Sequence, residues 1–339
     1  MSAEDKKPCM SLSLDLDNKW SYLKTHGSKD WETLPTYLDV AIPRILEFLA
    51  KRNIKITFFV VGQDAVREEN KPYLRMLADA GHEIASHSFH HDPWLHLYTP
   101  EKLNHELELA ENAIKEATGV EVKGFRGPGF SLSTDTLEVI RERGYEYDAT
   151  AFPNLLNPLA RAYFFAKSNL SAEQKEERKA LFGSYSDAFR PVKPYRWNLE
   201  QGKLLELPVT TMPLFKVPMH FSYLVYLGGF ASPLATLYTR FGAGLCRLTK
   251  TEPSLLLHPL DFLGADDDKD LEFFPGMSME SEKKLELMGK FFDIFCNHFE
   301  PVTMGEHIRR VRKVEDSLKV FEPAFAHDQN EAIAGEQKT

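Results

Sequence analysis

The sequence predicts an α/β domain built on parallel strands, and three observations lead to that prediction. The chain has 339 residues, of which 43% are hydrophobic and 27% charged, a globular composition long enough for one large domain or two smaller ones. Short apolar segments rich in β-forming residues alternate with segments of helical period through the first half. Several helical segments end at a glycine shortly before the next strand begins. Repetition of strand, helix and glycine is typical of a parallel sheet or barrel.

The elements of the first half follow one another in regular order. The predicted strands are Met10–Asp17, Ile54–Val61, Glu83–Ser86, Glu121–Phe125 and Glu146–Thr150. The predicted helices are Leu34–Leu49, Tyr73–Ala80, one that opens at Thr99 and Pro100 and closes at Gly119, and one between Ser133 and Gly144. A threonine or serine caps free N–H groups, a proline fits the first turn, and a glycine ends a helix.

The regular order breaks at residues 155–203, which we interpret as an insertion into a domain that spans residues 10–313. Within the insertion, the charged segment Ser171–Leu181 predicts a surface helix capped by its serine. The predicted elements after it are the strands Leu204–Val209 and Ser254–Leu257, and the helices Met279–His298 and one capped by Thr303. Residues 314–339 are polar and aperiodic, so we expect a disordered tail.

Charge and cysteine content exclude several classes of protein. With 41 Lys+Arg and 50 Asp+Glu, the formal net charge is −9, whereas binding of nucleic acid needs a basic surface. The three cysteines are far apart in the sequence, which excludes a disulfide scaffold and a cysteine-based zinc site and suits a reducing compartment. No apolar run follows the first lysines, so we expect no secretory signal and a cytoplasmic location.

The segment Val217–Thr239 carries no charged residue and is long enough to span a bilayer. Its prolines, glycines and histidine make it a poor membrane helix. We interpret it as a buried or cleft-lining aromatic segment of a soluble protein.

Candidate catalytic residues stand where predicted strands end. Asp15 and Asp17 end the first strand, and because alternate residues of a strand point to the same side, both carboxylates can face one site. His87 and His91 follow the third strand, and histidines four apart on a helical turn can bind one metal ion. His90, three residues from His87, is an alternative partner.

Two further strand ends carry polar residues. Arg126 lies among glycines and a proline and can reach a neighbouring carboxylate, while His258 ends an apolar run. Because the C-terminal ends of parallel strands converge on one face of a barrel, we expect all these residues to meet there. Carboxylates, imidazoles and an arginine in one place are typical of a mononuclear hydrolytic metal site with open positions.

With these motifs the chain resembles the polysaccharide deacetylases of carbohydrate esterase family 4. The resemblance runs from about Met10 to Asp148 and from about Leu204 to Lys313. It rests on LDLD (14–17), ITFFVVG (56–62), GHEIASHSFHH (81–91), FRGPG (125–129), YEYDAT (145–150) and LLLHPLDF (255–262). The resemblance implies a distorted (β/α)7 barrel that removes N- or O-linked acetyl groups from sugars.

The resemblance also implies a role for each residue. Asp17, His87 and His91 are implied as ligands of a divalent metal, expected to be Zn²⁺. Asp15 is implied as the general base and Arg126 as the residue that orients it. His258 is implied as the general acid, and we assign Asp148 to orient His258. The backbone N–H of Gly129 is a candidate donor to the oxyanion.

The chain departs from the common family pattern at two positions. Leu16 separates the two aspartates, as in the subgroup with a D-x-D motif, and Gly129 stands where the family usually has a bulky residue. No confident counterpart of the family's tryptophan motif is found. These departures concern the choice of substrate more than the chemistry.

The favoured function is metal-dependent removal of an N-acyl group, most simply N-acetyl, from an amino sugar of a glycan or glycan precursor. One alternative is deformylation of a lipid-linked amino sugar at the inner membrane face, in which Val217–Thr239 could contact the lipid. Another is a non-catalytic barrel that binds carbohydrate. The expected partners are a carbohydrate substrate and, weakly, a membrane surface, but no nucleic acid.

Overall fold

The computed structural model describes residues 7–325 apart from residues 29, 158, 160, 161, 163, 164, 167–169 and 178–186. The strands are Cys9–Asp15 (β1), Thr57–Val60 (β2), Glu83–Ser86 (β3), Gly124–Phe125 (β4), Tyr147–Asp148 (β5), Tyr195–Leu199 (β6), Gly202–Glu206 (β7), Ser254–Leu257 (β8), Glu300–Val302 (β9) and Val320–Phe321 (β10). The helices described are Lys19–Thr25 (α1), Leu38–Ala50 (α2), Gly62–Ala65 (α3), Lys71–Asp79 (α4), Pro100–Thr118 (α5), Thr134–Glu142 (α6), Ala172–Glu177 (α7), Phe221–Leu248 (α8), Ser281–His298 (α9) and Met304–Arg312 (α10).

Parallel strands form the wall of a barrel. β1 pairs with β2 on one side and with β8 on the other, and the ladder continues from β2 through β3, β4 and β5 to β7. The chain after β7 closes the ring, since the Thr210 N–H donates to the Ser254 carbonyl at 2.8 Å and the Val209 N–H to the Ala151 carbonyl at 2.9 Å. The seven parallel strands β1–β5, β7 and β8 therefore form a distorted (β/α)7 barrel, which confirms the predicted fold class.

The alternation of residues in β1 determines what the barrel contains. Met10, Leu12 and Leu14 pack into the large apolar cluster that the surrounding helices share. Ser11 and Asp15 point the other way and contact polar groups from other parts of the chain, His307 and Arg126 respectively. Both sides of β1 are buried, so the barrel interior carries a polar column that ends in the aspartates.

The predicted helix ends in the first half are confirmed. The Thr99 hydroxyl accepts the N–H of Lys102, and Gly119 ends the same helix with a left-handed φ of 77°. The Ser133 hydroxyl accepts the N–H of Thr136 at the start of α6. Observed and predicted boundaries differ by a few residues at most in this half, because cap and stop residues act locally.

The segment Val217–Thr239 lies mostly in α8, and the prediction of a buried or cleft-lining segment is wrong for one face of this helix. One face of α8 packs on α9, where the rings of Phe221 and Phe292 are 4.4 Å apart. The opposite face is exposed, and its residues include Phe230. The helix is interrupted at Ala231, two residues before Pro233. Within the described residues, no helix is long and apolar enough to cross a membrane.

The second half departs from prediction in two further places. The expected disordered tail is wrong for residues 315–325, because Val320–Phe321 pairs with β6 and the buried Phe325 packs beside Trp197. Val320 and Phe321 extend the edge of the sheet, and Phe325 adds a buried contact behind it. The strand β6 itself falls in the predicted insertion. Helix α7 lies within the predicted Ser171–Leu181, of which residues 178–181 are outside the described part, as are residues 326–339 of the tail.

Candidate active site

The structure brings the predicted metal ligands together at the C-terminal end of the barrel. The Nε2 of His91 lies 2.9 Å from Oδ1 of Asp17, and the Nε2 of His87 lies 3.5 Å from the same oxygen. Asp15 stands beside them, with its Oδ2 3.9 Å from the Nε2 of His87. All four side chains are buried. The convergence of strand ends that the sequence predicts is therefore present for these residues.

The ligand atoms of Asp17, His87 and His91 are close enough together to bind one divalent cation. One ligand atom from each of Asp17, His87 and His91 lies within 4.8 Å of the other two. The Nδ1 of His87 donates to the Arg126 carbonyl at 2.7 Å, which leaves a lone pair on its Nε2. Among the described residues, Nδ1 of His91 is buried without a hydrogen-bond partner, and the close approach of its Nε2 to Oδ1 of Asp17 does not have hydrogen-bond geometry. Buried polar atoms are rarely left unpaired, and a metal ion would satisfy Oδ1 of Asp17 and one ring nitrogen of His91.

A loop, and not the expected helical turn, orients the two histidines. Ser88 and His91 have left-handed backbones, with φ of 60° and 54°, so the chain folds back after β3. This fold brings the rings of His87 and His91 to 5.0 Å between centroids. His90 points elsewhere, since its Nδ1 lies 2.6 Å from Oε2 of Glu106. The geometry thus favours His91 over His90 as the partner of His87.

The charges of the ligand residues depend on one another. Burial would raise the pKa of Asp17, but the adjacent His91 and His87 outweigh burial and lower it. Burial would lower the pKa of His91, but the Asp17 carboxylate outweighs burial and raises it. Burial lowers the pKa of His87 against the pull of both aspartates. Without a cation, Asp17 and His91 form an ion pair, and binding of a cation would release the proton of His91.

Arg126 anchors Asp15 from inside the barrel. Its Nη1 donates to Oδ1 of Asp15 at 2.6 Å and to Oγ of Ser13 at 3.0 Å, and its Nε donates to the Ala149 carbonyl at 2.9 Å. The guanidinium is fully buried and stacks 4.2 Å from the ring of Phe59. Because Arg126 occupies only one oxygen of Asp15, the other remains directed toward His87 and the ligand group.

His258 is held by Ser222 and Asp261, to which the sequence alone assigned no role. The Ser222 hydroxyl donates to Oδ2 of Asp261 at 3.0 Å, and its oxygen lies 3.1 Å from Nδ1 of His258. The same Asp261 oxygen accepts the His258 backbone N–H at 2.8 Å. With its proton on Nδ1, His258 keeps Nε2 for another group. The spacing of Asp261, three residues after His258, is a capping-box signal that the sequence contained.

The prediction that Asp148 orients His258 is wrong. Asp148 lies opposite Glu206 in the β5–β7 ladder, so its side chain is beside that carboxyl group. Its Oδ1 accepts the Thr150 hydroxyl at 2.6 Å. Burial and the adjacent Asp148 carboxylate raise the pKa of Glu206 well above its usual range. Asp148 therefore belongs to a buried carboxyl pair in the barrel wall.

His220 lines the same region and was also missed as a site residue. It precedes the first turn of α8, and its ring lies 6.2 Å from that of His258. Burial lowers its pKa to about 3, so the ring is neutral at physiological pH. It comes from a segment whose sequence carried no signal beyond an apolar pattern.

A second group of ligand-type atoms lies at the N-terminal end of β1. Atoms of Cys9, Glu252 and His307 are within 4.8 Å of one another, and the Nε2 of His307 is buried without a hydrogen-bond partner among the described residues. The spacing of the cysteines had excluded a cysteine-based metal site, and residues distant in sequence meet here instead. Experiments that count metal ions have to separate this group from the candidate active site.

Replacing Ser222 by alanine should lower the rate of hydrolysis about 10- to 100-fold, by analogy with the loss of a partner that orients a metal-bound imidazole. Metal content and melting temperature should change little, because Ser222 contacts neither the ligands nor the core of the barrel. Ser232→Ala, in the same helix, is the matched control. Normal activity of Ser222→Ala would show that His258 does not depend on this hydroxyl.

Comparison with known proteins gives one family. Residues 32–147 match the family model described as polysaccharide deacetylase. A peptidoglycan deacetylase of Helicobacter pylori is 26% identical over 205 residues, which cover 58% of this chain and 67% of the relative. The peptidoglycan-N-acetylmuramic acid deacetylase PdaA of Bacillus subtilis is 30% identical over 105 residues, which cover 31% of this chain and 39% of the relative. The chain thus spans about two thirds of one relative and well under half of the other.

The fold extends the likeness beyond the matched segment. A solved structure from Mycobacterium smegmatis, of the polysaccharide deacetylase type, superposes with a TM-score of 0.62 and covers 96% of each chain. Its sequence identity of 20% means that this likeness concerns the fold alone. The chain is therefore similar to the polysaccharide deacetylases, carbohydrate esterase family 4, in sequence over residues 32–147 and in fold over most of its length.

Proposed function

We propose that residues 10–313 form a metal-dependent hydrolase that removes an N-acyl group, most simply N-acetyl, from an amino sugar of a glycan or glycan precursor. The observation that supports this most directly is the arginine-paired carboxylate of Asp15 next to the clustered ligand atoms of Asp17, His87 and His91. The names of the relatives from Helicobacter pylori and Bacillus subtilis describe deacetylases of peptidoglycan.

Asp17, His87 and His91 would hold the cation, which we propose to be Zn²⁺ because two imidazoles and a carboxylate are ligands that it prefers. When bound, the cation would supply Lewis-acid activation of water and of the acyl carbonyl. The chain's own contribution is the fixed orientation of the ligands. His87 is held by the Arg126 carbonyl, and the left-handed loop residues place His91.

Asp15 accepts the proton of the attacking water. Its Oδ1 is held by Arg126 and its Oδ2 faces the ligand group, so one oxygen is fixed while the other accepts the proton. A charge-assisted hydrogen bond from a guanidinium that is itself held by Ser13 and Ala149 leaves Asp15 little freedom to turn away. The buried position excludes most water from competing for this carboxylate.

His258 in its imidazolium form donates the Nε2 proton to the leaving amine and keeps the Nδ1 proton in its hydrogen bond to Ser222. An amine is too basic to leave without that proton, and His258 is the partly exposed imidazole at the edge of the site. Its Nδ1 is committed to Ser222, so the Nε2 position alone exchanges protons with the substrate. The Gly129 N–H, in a turn with φ of 60°, is our proposed donor to the oxyanion.

A second candidate is deformylation of a lipid-linked amino sugar, which the exposed apolar face of α8 favours. Acetate and formate released from a panel of N-acetyl and N-formyl amino sugars, with zinc supplied, separate the two candidates. We further propose a cytoplasmic location, which the three free cysteines support. A carbohydrate-binding barrel without catalysis would have no use for Asp15 and Asp17 together.

Replacing His258 by alanine should abolish turnover of an N-acetyl amino sugar while most of the activity on an activated aryl acetate remains. An aryl oxide leaves without protonation, so only the amide substrate needs the acid, whose contribution is about 10²–10⁴-fold. Both rates are measured on one preparation, with the exposed His105→Ala as control. If both rates fall by the same factor and the melting temperature drops, His258 is structural.

A further inference from the structure

Helix α8 exposes an apolar stripe along its whole length. Its large apolar side chains on the solvent side are between 41% and 77% exposed, and they recur every three, four or seven residues: Tyr223, Tyr226, Phe230, Leu234, Leu237, Phe241 and Leu248. We call these residues the outward face. The opposite side of α8 packs tightly on α9, where a Cβ atom at Gly228 would lie 3.1 Å from Leu287. The outward face is therefore not the surface that holds the helix in the fold.

The apolar surface continues beyond the helix. Leu214 and Phe215, in the turn that precedes α8, are 74% and 52% exposed. The ring of Phe215 lies 6.1 Å from that of Phe241, which joins the turn to the outward face. Monomeric proteins rarely expose a contiguous apolar surface of this length unless it contacts a partner or a membrane.

The charged residues of the chain segment that contains the outward face all have the same sign. Residues 207–251 contain no aspartate or glutamate, although the chain as a whole has a net charge of −9. The charged residues of this stretch are Lys216, Arg240, Arg247 and Lys250. Arg240 and Arg247 are exposed on α8 itself, next to the apolar side chains. An acidic protein thus carries a local surface that is apolar and basic.

We infer that the outward face docks on an anionic phospholipid surface, with α8 lying along the membrane plane. Tyrosine, phenylalanine and leucine enter the boundary between headgroups and acyl chains, while arginines beside them contact lipid phosphates. A second copy of the chain fits less well, because a twofold contact would bring Arg240 and Arg247 of both copies together without a carboxylate from this stretch. Charge complementarity therefore selects the anionic lipid.

The outward face begins at the mouth of the candidate active site. Tyr223, its first residue, packs against His220 with ring centroids 4.5 Å apart, and Ser222 contacts His258. Docking would therefore hold the site mouth close to the lipid headgroups. The substrate class, unlike the docking itself, rests on the proposed function. If that function is correct, the substrate class is an N-acylated amino sugar carried on a membrane lipid.

The test is co-sedimentation of the full chain with vesicles of phosphatidylcholine, and with vesicles of an equal mixture of phosphatidylcholine and phosphatidylglycerol. We expect binding to the mixed vesicles, weaker binding to phosphatidylcholine alone, and a decrease at high salt. Phe230→Glu/Leu237→Glu should lower the ratio of bound to free protein at least about tenfold, because two apolar side chains that would enter the lipid become charged. Val66→Glu, at a half-exposed valine elsewhere, should have no effect.

Charge is tested separately. Arg240→Glu/Arg247→Glu should lower binding to the mixed vesicles and leave binding to phosphatidylcholine unchanged, whereas Lys51→Glu/Lys55→Glu, exposed lysines elsewhere, should change neither. Melting temperature and elution volume verify that each variant folds. Leu248→Glu, at the 77% exposed end of α8, repeats the apolar test with a single change.

Two results would overturn the inference. One is a wild-type chain that does not bind the mixed vesicles, or that binds equally after the Phe230/Leu237 change. The other is a dimer in light scattering that the same change converts to a monomer, since a second copy would then be the occupant. Asp15→Asn should bind vesicles like the wild type, so a failure of docking and a failure of the proposed catalysis are seen independently.

Discussion

Replacing His91 by alanine should remove one metal ion per chain and reduce hydrolysis to background. His91 supplies one of three ligand atoms, its ring nitrogens have no other partner among the described residues, and three protein ligands are typical of a catalytic zinc site. Lewis-acid activation is worth several kcal/mol in such sites, which corresponds to a loss of about 10³-fold or more in rate. Metal content by mass spectrometry of the purified chain and the rate on an N-acetyl amino sugar are measured together.

His90→Ala is the matched control for that change. The His90 ring is bound to Glu106 and points away from Asp17, so its loss should leave metal content and rate near those of the wild type. If His90→Ala loses the ion and His91→Ala keeps it, the assignment of the ligands is wrong. His307→Ala separates the group at the other end of β1, because an ion bound there would disappear from this variant and remain in His91→Ala.

The barrel and most of the site could be predicted because the sequence of β1 indicates both the strand itself and the residues that face the barrel interior. In β1 the leucines alternate with serines and an aspartate, so a single pattern indicates both the strand and the side that faces the interior. Such patterns are local, and so are the capping residues that ended the helices correctly. The ladder of parallel strands then brought Asp15, His87 and Arg126 together without any information on their distances.

The parts that could not be predicted depend on residues distant in the sequence. Ser222 reaches His258 only because α8 packs beside β8, and its own segment shows no polar pattern. Asp148 lies in a segment that resembles a family motif, YEYDAT. Its position opposite Glu206 in the β5–β7 ladder nevertheless determines which side chains it contacts. The spacing of His87 and His91 predicted two neighbouring rings on a helical turn, whereas a loop with left-handed residues brings these rings together.

Replacing Asp15 by asparagine should keep the metal ion and lower the rate of hydrolysis about 10²–10⁴-fold, which is the usual contribution of a general base. The ligand residues are Asp17, His87 and His91, so the ion does not depend on Asp15. The amide oxygen of asparagine can still accept the hydrogen bond from Arg126, but the group on the side of His87 can no longer take a proton.

Stability has to be measured alongside, because Arg126 is fully buried and Asp15 balances its charge. Removing one partner of a buried ion pair typically costs about 3–5 kcal/mol, and an asparagine that keeps one hydrogen bond should cost less. The melting temperature of Asp15→Asn should therefore fall. Hydrolysis rates are compared at a temperature below the melting transitions of both the wild type and the variant. Arg126→Lys is the second variant, since lysine keeps the charge but cannot donate to Asp15, Ser13 and Ala149 together.

The two variants separate chemistry from support of the fold. If Asp15 is the base, Asp15→Asn loses the rate at full metal load, while Arg126→Lys retains part of it because the carboxylate is still present. If Asp15 serves only to neutralise Arg126, both variants should lower the melting temperature and leave the rate per folded, metal-loaded chain unchanged. A wild-type rate in Asp15→Asn at normal metal content would remove Asp15 from the mechanism and leave the proton of the water to another acceptor.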